Sequence, residues 1–252
     1  MVVAALVGSI LVSLVIPLII WIILIAKNKE ERKGIIVLFV LGALFYIAMQ
    51  FGIKQQGLAY LFNNTNLQTF MDEHYISYLI LVALIGAVLA IIPELITILV
   101  IYKKKITFKQ AVSLGLGYTT AESMFLIGYL EIAALVKYIG DNDYELVTSA
   151  ETLFLSDFER ILLGVTGIGL IVCLIYFIEE NMTLWGILIK VICQALVAFL
   201  PGFLIAFSTK DLLEVFDRSM ALIIIYIILT AVALCTAAFM NSVKWKMWDI
   251  HN

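Results

Sequence analysis

Runs of about twenty apolar residues, repeated along the chain and split by short polar connections, restrict what this sequence can fold into. They cover approximately Val3 to Ala26, Ile35 to Ile53, Ile76 to Tyr102, Ala111 to Leu130, Phe158 to Ile178, Leu184 to Phe207 and Met220 to Ser242. In the hydrocarbon of a bilayer such a stretch satisfies its backbone hydrogen bonds only as a helix or in a closed barrel. Barrel strands read as alternating segments of about ten residues, whereas these runs are continuous and longer. The pattern predicts an all-α fold, a polytopic transmembrane helical bundle of seven spans. Composition agrees, with 63% of residues hydrophobic and 14% charged, against about 25% charged in a soluble domain. Seven spans leave only short connections, so residues 1–252 form a single integral membrane domain whose first partner is the lipid bilayer.

Charge placement gives an orientation. No Lys or Arg precedes the first run, and Lys27, Lys29, Arg32 and Lys33 follow it directly. That order is expected of a first span rather than of a cleavable leader. Lys103, Lys104, Lys105 and Lys109 separate the third and fourth spans, and Lys244 and Lys246 follow the last. By the positive-inside rule these residues mark the cytoplasmic side, with the N-terminus outside and the C-terminus inside. The connections 54–75 and 131–157 then lie outside, the second as a solvated acidic loop.

The same inventory removes whole classes of function. A net charge of -3 without a long basic tract excludes nucleic acid as a partner. Cys173, Cys193 and Cys235 lie in apolar runs with no Cys-x-x-Cys pair, which excludes a disulfide framework and a thiolate metal site. The two histidines, His74 and His251, share no ligand spacing. No metal or other cofactor is expected, and no histidine stands ready to activate a Ser or Cys nucleophile.

Ionisable side chains inside a span cost about 2.5–3.5 kcal/mol each near its centre by insertion scales. Glu94, Glu122 and Lys190 are the ones placed this way. At about 1.5 Å per residue, they lie about 12, 16 and 9 Å from the cytoplasmic ends of their spans, close enough in depth to face one cavity. Glu94 follows Pro93, which frees a carbonyl one turn earlier. A Glu94–Lys190 pair tying two helices together is one expectation for these residues, and a functional pair is the other. Tyr118 and Glu122 are four apart and share a helix face, while Gly115, Ala121 and Ser123 let neighbouring helices approach. Glu159 and Arg160, at the outer start of the fifth span, read as interfacial anchors.

The order and content of these segments resemble the YhfC family of intramembrane-protease-like proteins. That family is related to the CAAX-prenyl-protease-like glutamic membrane peptidases. The resemblance covers the first six spans and rests on four elements. Where that family carries Glu-Glu-x-x-Arg, this chain has Pro93-Glu94-Leu95-Ile96-Thr97. Its Gly-x-Gly-His-x-x-x-Glu corresponds to Gly115-Leu116-Gly117-Tyr118 followed by Glu122, with tyrosine in place of histidine. A Glu-Arg pair ahead of a further histidine corresponds to Glu159-Arg160, with Gly167 near the histidine position. The closing His-x-x-x-Asp-Phe-Leu-Pro corresponds to Gln194 through Pro201, both polar members being replaced.

The resemblance implies a bacterial plasma-membrane protein on a peptidase-like frame. Glutamic peptide hydrolysis relies on groups that shuttle protons and position water, and the motif histidines are missing here. The expectation is therefore a non-catalytic relative that binds a membrane protein, a peptide or a lipid. Its intramembrane cavity would be framed by Pro93, Glu94, Thr97, Gly115, Gly117, Tyr118, Glu122, Glu159, Arg160, Lys190 and Gln194. An active peptidase using Glu94 and Glu122 and a small proton-coupled transporter are the alternatives.

Overall fold

A computed structural model describes residues 2–102, 106–140, 150–180, 182–208, 220–232 and 235. Lys103 to Lys105, Lys244, Lys246 and His251 therefore lie outside the described residues. Helices account for the regular structure, and there is no strand among the described residues. Helix α1 joins Val2–Ile10, a π-helical turn at Leu11–Val15, and Ile16–Lys27. Helix α2 joins Arg32–Phe45, π-helical Tyr46–Gln55 and Gln56–Asn64. A short α3, Leu67–Glu73, leads into α4, which is Tyr75–Leu95 continued by π-helical Ile96–Ile101. Helix α5 joins Phe108–Ser123, π-helical Met124–Gly128 and Tyr129–Gly140. Then come α6 (Ala150–Glu179), α7 (Thr183–Ser208) and α8 (Met220–Val232).

Five segments are long and apolar enough to cross a membrane: Leu6–Lys27, Arg32–Asn63, Tyr75–Ile101, Leu155–Glu179 and Thr183–Leu204. Their outward residues, such as Ile19, Ile22, Leu188 and Ile192, are exposed branched aliphatics, as a lipid-facing surface requires. Over its described length α8 is apolar but shorter than these, and most of the remaining run to Ser242 is outside the described residues. Helix α5 is long enough but less oily. Its residues from Ser113 to Ala121 are all buried against protein, so they have no need to be lipid-soluble.

This central helix packs between α2 and α6, while α7 packs on α4 and α6. Glycine sets the first contact. A Cβ on Gly117 would run into the Phe39 carbonyl of α2, and one on Gly42 would run into the Leu114 carbonyl of α5. The two backbones thus approach through reciprocal gaps, as small residues permit in membrane bundles. Around this crossing, Leu38, Ile91, Ile98, Leu114, Ile171 and Leu174 form one apolar core.

One end of the bundle is tied by polar contacts. Thr107 caps α5 in a capping box with Gln110, satisfying two backbone N–H groups that a helix start leaves free. The Thr107 hydroxyl also donates to Glu31, in the α1–α2 connection, and Lys109 Nζ lies 3.1 Å from the same carboxylate. Ser113 Oγ donates to the Ile35 carbonyl at 2.6 Å. Burial raises the Glu31 pKa, but these two donors outweigh it and hold the carboxyl below its ordinary value.

Two expected outer loops look different in the fold. Residues 54–64 continue α2, and Leu67–Glu73 forms α3. Glu131 and Asp157, which bound the acidic connection, are buried rather than solvated. The Ser9 hydroxyl of α1 donates to Asp157 Oδ1 at 2.5 Å. Glu131 packs in the same neighbourhood, and its Oε2 has no hydrogen-bond partner among the described residues. Between them, residues 141–149 lie outside the described residues.

Candidate functional site

The ionisable residues of the spans gather around one cavity of about 290 Å³. Glu94 enters it from α4. Pro93 interrupts the hydrogen-bond ladder beside it, and the Thr97 hydroxyl donates to the Pro93 carbonyl at 2.9 Å. Thr97 thereby answers a backbone acceptor, and the chain continues as π-helix, a common accompaniment of helix irregularity at polar sites. From α7, the Lys190 ammonium donates directly to Glu94 Oε2. Both side chains are almost completely buried, at 4% and 3% exposed. The pair thus links α4 to α7, and each charge is tolerated because the other is present.

Helix α5 contributes Tyr118, Thr119 and Glu122. Tyr118 is fixed by an edge-on contact with Tyr46 of α2, their ring centroids 5.4 Å apart. One α2 turn further, Gln50 Nε2 donates to the Gly86 carbonyl of α4 at 2.7 Å. Lys54, a further four residues along, lays its ammonium against Gly86, where a Cβ would lie 2.7 Å from Nζ. On the facing side stand Arg160 and Thr166 of α6. Thr166 Oγ1 lies 2.9 Å from Thr230 Oγ1, whose own hydroxyl is 3.1 Å from the Leu162 carbonyl, fastening α8 to α6. Tyr226 of α8 and Gln194 of α7 close the ring. Gln194 Oε1 is buried with no hydrogen-bond partner among the described residues.

Of the residues singled out in the sequence, Glu94, Tyr118, Glu122, Arg160, Lys190 and Gln194 line this space. Gly167 and Pro201 line it too, while others frame it without facing it. Pro93 and Thr97 shape the α4 backbone, Gly117 seats α5 on α2, and Gly115 meets Ile168 of α6. Glu159 lies near Arg160 but is not in the wall. Arg160 itself is a cavity residue, as the resemblance implied and beyond the anchoring role its place at a span end suggested, and it lies within electrostatic reach of Glu122.

Gln50, Lys54, Thr166 and Tyr226 were not anticipated. The sequence does carry a signal for two of them. Gln50 and Lys54 are four apart at the end of an apolar run, which puts two polar groups on one helix face.

Chemically, the arrangement sets one ion pair among further polar side chains. Glu94 is engaged by Lys190, which reduces its freedom to take a proton from water. Tyr118 has its ring packed edge-on against Tyr46. No group of three or more His, Cys, Asp or Glu side chains among the described residues could hold a metal ion. What the cavity offers is a ring of charged and hydrogen-bonding groups set in apolar walls that include Leu163, Leu170 and Val197. No family model, curated protein or solved structure matches the chain.

Proposed function

We propose that this chain is a multi-pass membrane protein on an intramembrane-protease-like scaffold of the YhfC type, and that it works by binding. Its ligand would be a lipid, or a segment of a membrane protein or peptide, held in the cavity between α2, α4, α5, α6 and α7. The observation that carries the reading is the convergence of Glu94, Tyr118, Glu122, Lys190 and Gln194 on one space, with Glu94 already neutralised by Lys190. A built polar cavity with its central carboxylate occupied suits recognition. In the bilayer the chain would cross seven times, with its N-terminus outside and its C-terminus in the cytoplasm. The shared position of Glu31 and Lys109 supports this arrangement, since it brings the basic α1–α2 connection and the start of α5 to one end. A bacterial plasma membrane is the setting the resemblance implies.

Purification of the full chain from native membranes in mild detergent tests the reading. A stoichiometric lipid, peptide or protein should accompany it, and Tyr118→Phe together with Gln194→Leu should reduce the amount retained. A chain that is folded, monomeric and empty in every preparation would refute it.

A second reading is peptide hydrolysis, favoured by the presence of Glu94 and Glu122 in one cavity. It requires Glu122→Gln to abolish cleavage of a membrane substrate. Unchanged processing in both Glu94→Gln and Glu122→Gln would remove it.

A further inference from the structure

Charge around the cavity does not balance. Lys190 and Glu94 cancel within their ion pair, leaving Lys54 and Arg160 against Glu122. Glu122 is within electrostatic reach of both cations. Even so, among the described residues no carboxylate comes within 4.0 Å of Lys54 or Arg160. Both side chains are partly buried, and a charge drawn out of water without a close partner is costly. Within the wall itself one unit of positive charge is left over, Glu131 and Glu159 reaching Arg160 only from outside it, in a space that also contains hydrogen-bonding hydroxyl and amide groups.

We propose that the region between Lys54 and Arg160 binds the phosphate of an anionic glycerophospholipid headgroup. The inference rests on the binding function proposed above and names its ligand class. A phosphodiester carries one negative charge, equal to the excess. A guanidinium donates two parallel N–H bonds to phosphate oxygens, and an ammonium adds a compact third contact. Size fits as well. The cavity of about 290 Å³ exceeds several water volumes of about 30 Å³ each, enough for a phosphate and a small polyol. On the α7 side, Ala198 lines the cavity and is itself exposed. Exposed Ile161, Leu196 and Ile224 give the surrounding surface the apolar character that acyl chains need. Glu122 is the wall carboxylate outside the Lys190–Glu94 pair and would oppose the bound phosphate, so its neutralisation should strengthen binding.

Native mass spectrometry of the full chain in uncharged detergent supplies the test. The probes are a short-chain phosphatidylglycerol, the corresponding phosphatidylcholine, glycerol phosphate and inorganic phosphate. Phosphatidylglycerol should be retained best. Lys54→Gln and Arg160→Gln should each weaken its retention about tenfold, Lys54→Arg should restore it, and Glu122→Gln should raise it. Thermal unfolding of each variant without lipid separates loss of binding from loss of fold. Equal retention by wild type and both cation variants, or no gain in Glu122→Gln, overturns the proposal. Glycerol phosphate or inorganic phosphate binding as tightly as the lipid overturns the lipid source and assigns the site to a free anion. A co-purified peptide displaced by neither lipid would overturn this inference and leave the binding function standing, whereas a chain empty of every ligand would refute both.

Discussion

Gly86 and Lys54 share one volume: the lysine ammonium of α2 occupies the place where a side chain on Gly86 of α4 would begin. The glycine is therefore part of the lysine's setting, although it carries no functional group. Gly86→Ala would put a Cβ 2.7 Å from Nζ, and the flexible lysine end would swing away rather than break the helix contact. The expected outcome is a folded protein whose stability changes by less than about 1 kcal/mol and whose anion retention falls to the level of Lys54→Gln. Paired melting and lipid-retention measurements check it.

The α2–α5 crossing should be far less forgiving. At Gly117 and Gly42 an added Cβ meets backbone carbonyls, Phe39 and Leu114, which cannot rotate out of the way. Gly117→Ala should cost about 1–3 kcal/mol or more through forced separation of the helices. Gly164→Ala, where the nearest atom is Thr119 Cβ at 4.0 Å, is the control and should be well tolerated. Detergent-solubilised melting temperatures distinguish the two.

The Lys190–Glu94 pair predicts a double-mutant signature. Lys190→Met alone leaves a carboxylate buried with no counter-charge and should cost about 3–5 kcal/mol. Adding Glu94→Leu removes that orphan and should recover most of the loss. If the double variant is no more stable than Lys190→Met, the carboxylate was not relying on the lysine.

At the Glu31 end the effect is smaller and depends on pH. With the folded carboxyl held below its ordinary value of 4.5, its stabilisation is complete above that value. It is lost as pH falls through the folded pKa. Glu31 and Lys109 are partly exposed, at 26% and 44%, so the contribution should be about 0.2–1 kcal/mol. Glu31→Gln should melt slightly below wild type near neutrality, and the difference should vanish in acid. A difference that grows on acidification would contradict this origin.

Much of this organisation is legible in the residues. Glu94, Glu122 and Lys190 stand out because an ionisable group inside an apolar run needs a reason, and the fold brings all three to one cavity. Lys54 and Arg160 escape the same argument because they stand at the edges of their runs, where snorkelling to the interface is the simpler account. Only the three-dimensional path of α2 and α6 turns them inward. The two ends of the acidic connection differ from the expectation of a solvated loop for a related reason. Asp157 and Glu131 look like surface residues in one dimension, and the Ser9 hydroxyl that gives Asp157 a buried partner sits 148 positions away from it. Helix existence follows from hydropathy, but helix ends do not, as α2 shows by continuing through Lys54 to Asn64.

The plainness of α5 has a consequence for how the protein is made. Ser113 to Ala121 carry glycines, threonines and a serine that suit a protein environment and give little drive to enter lipid unaided. In the seven-span arrangement proposed above, its place in the bilayer would be created by the helices around it, above all by α2, whose glycine gap receives it. During synthesis α5 emerges after α2 but before α6, so in that arrangement it would precede the partner that completes its enclosure. Premature termination beyond α5 should leave that helix as the first part of the chain exposed to quality control.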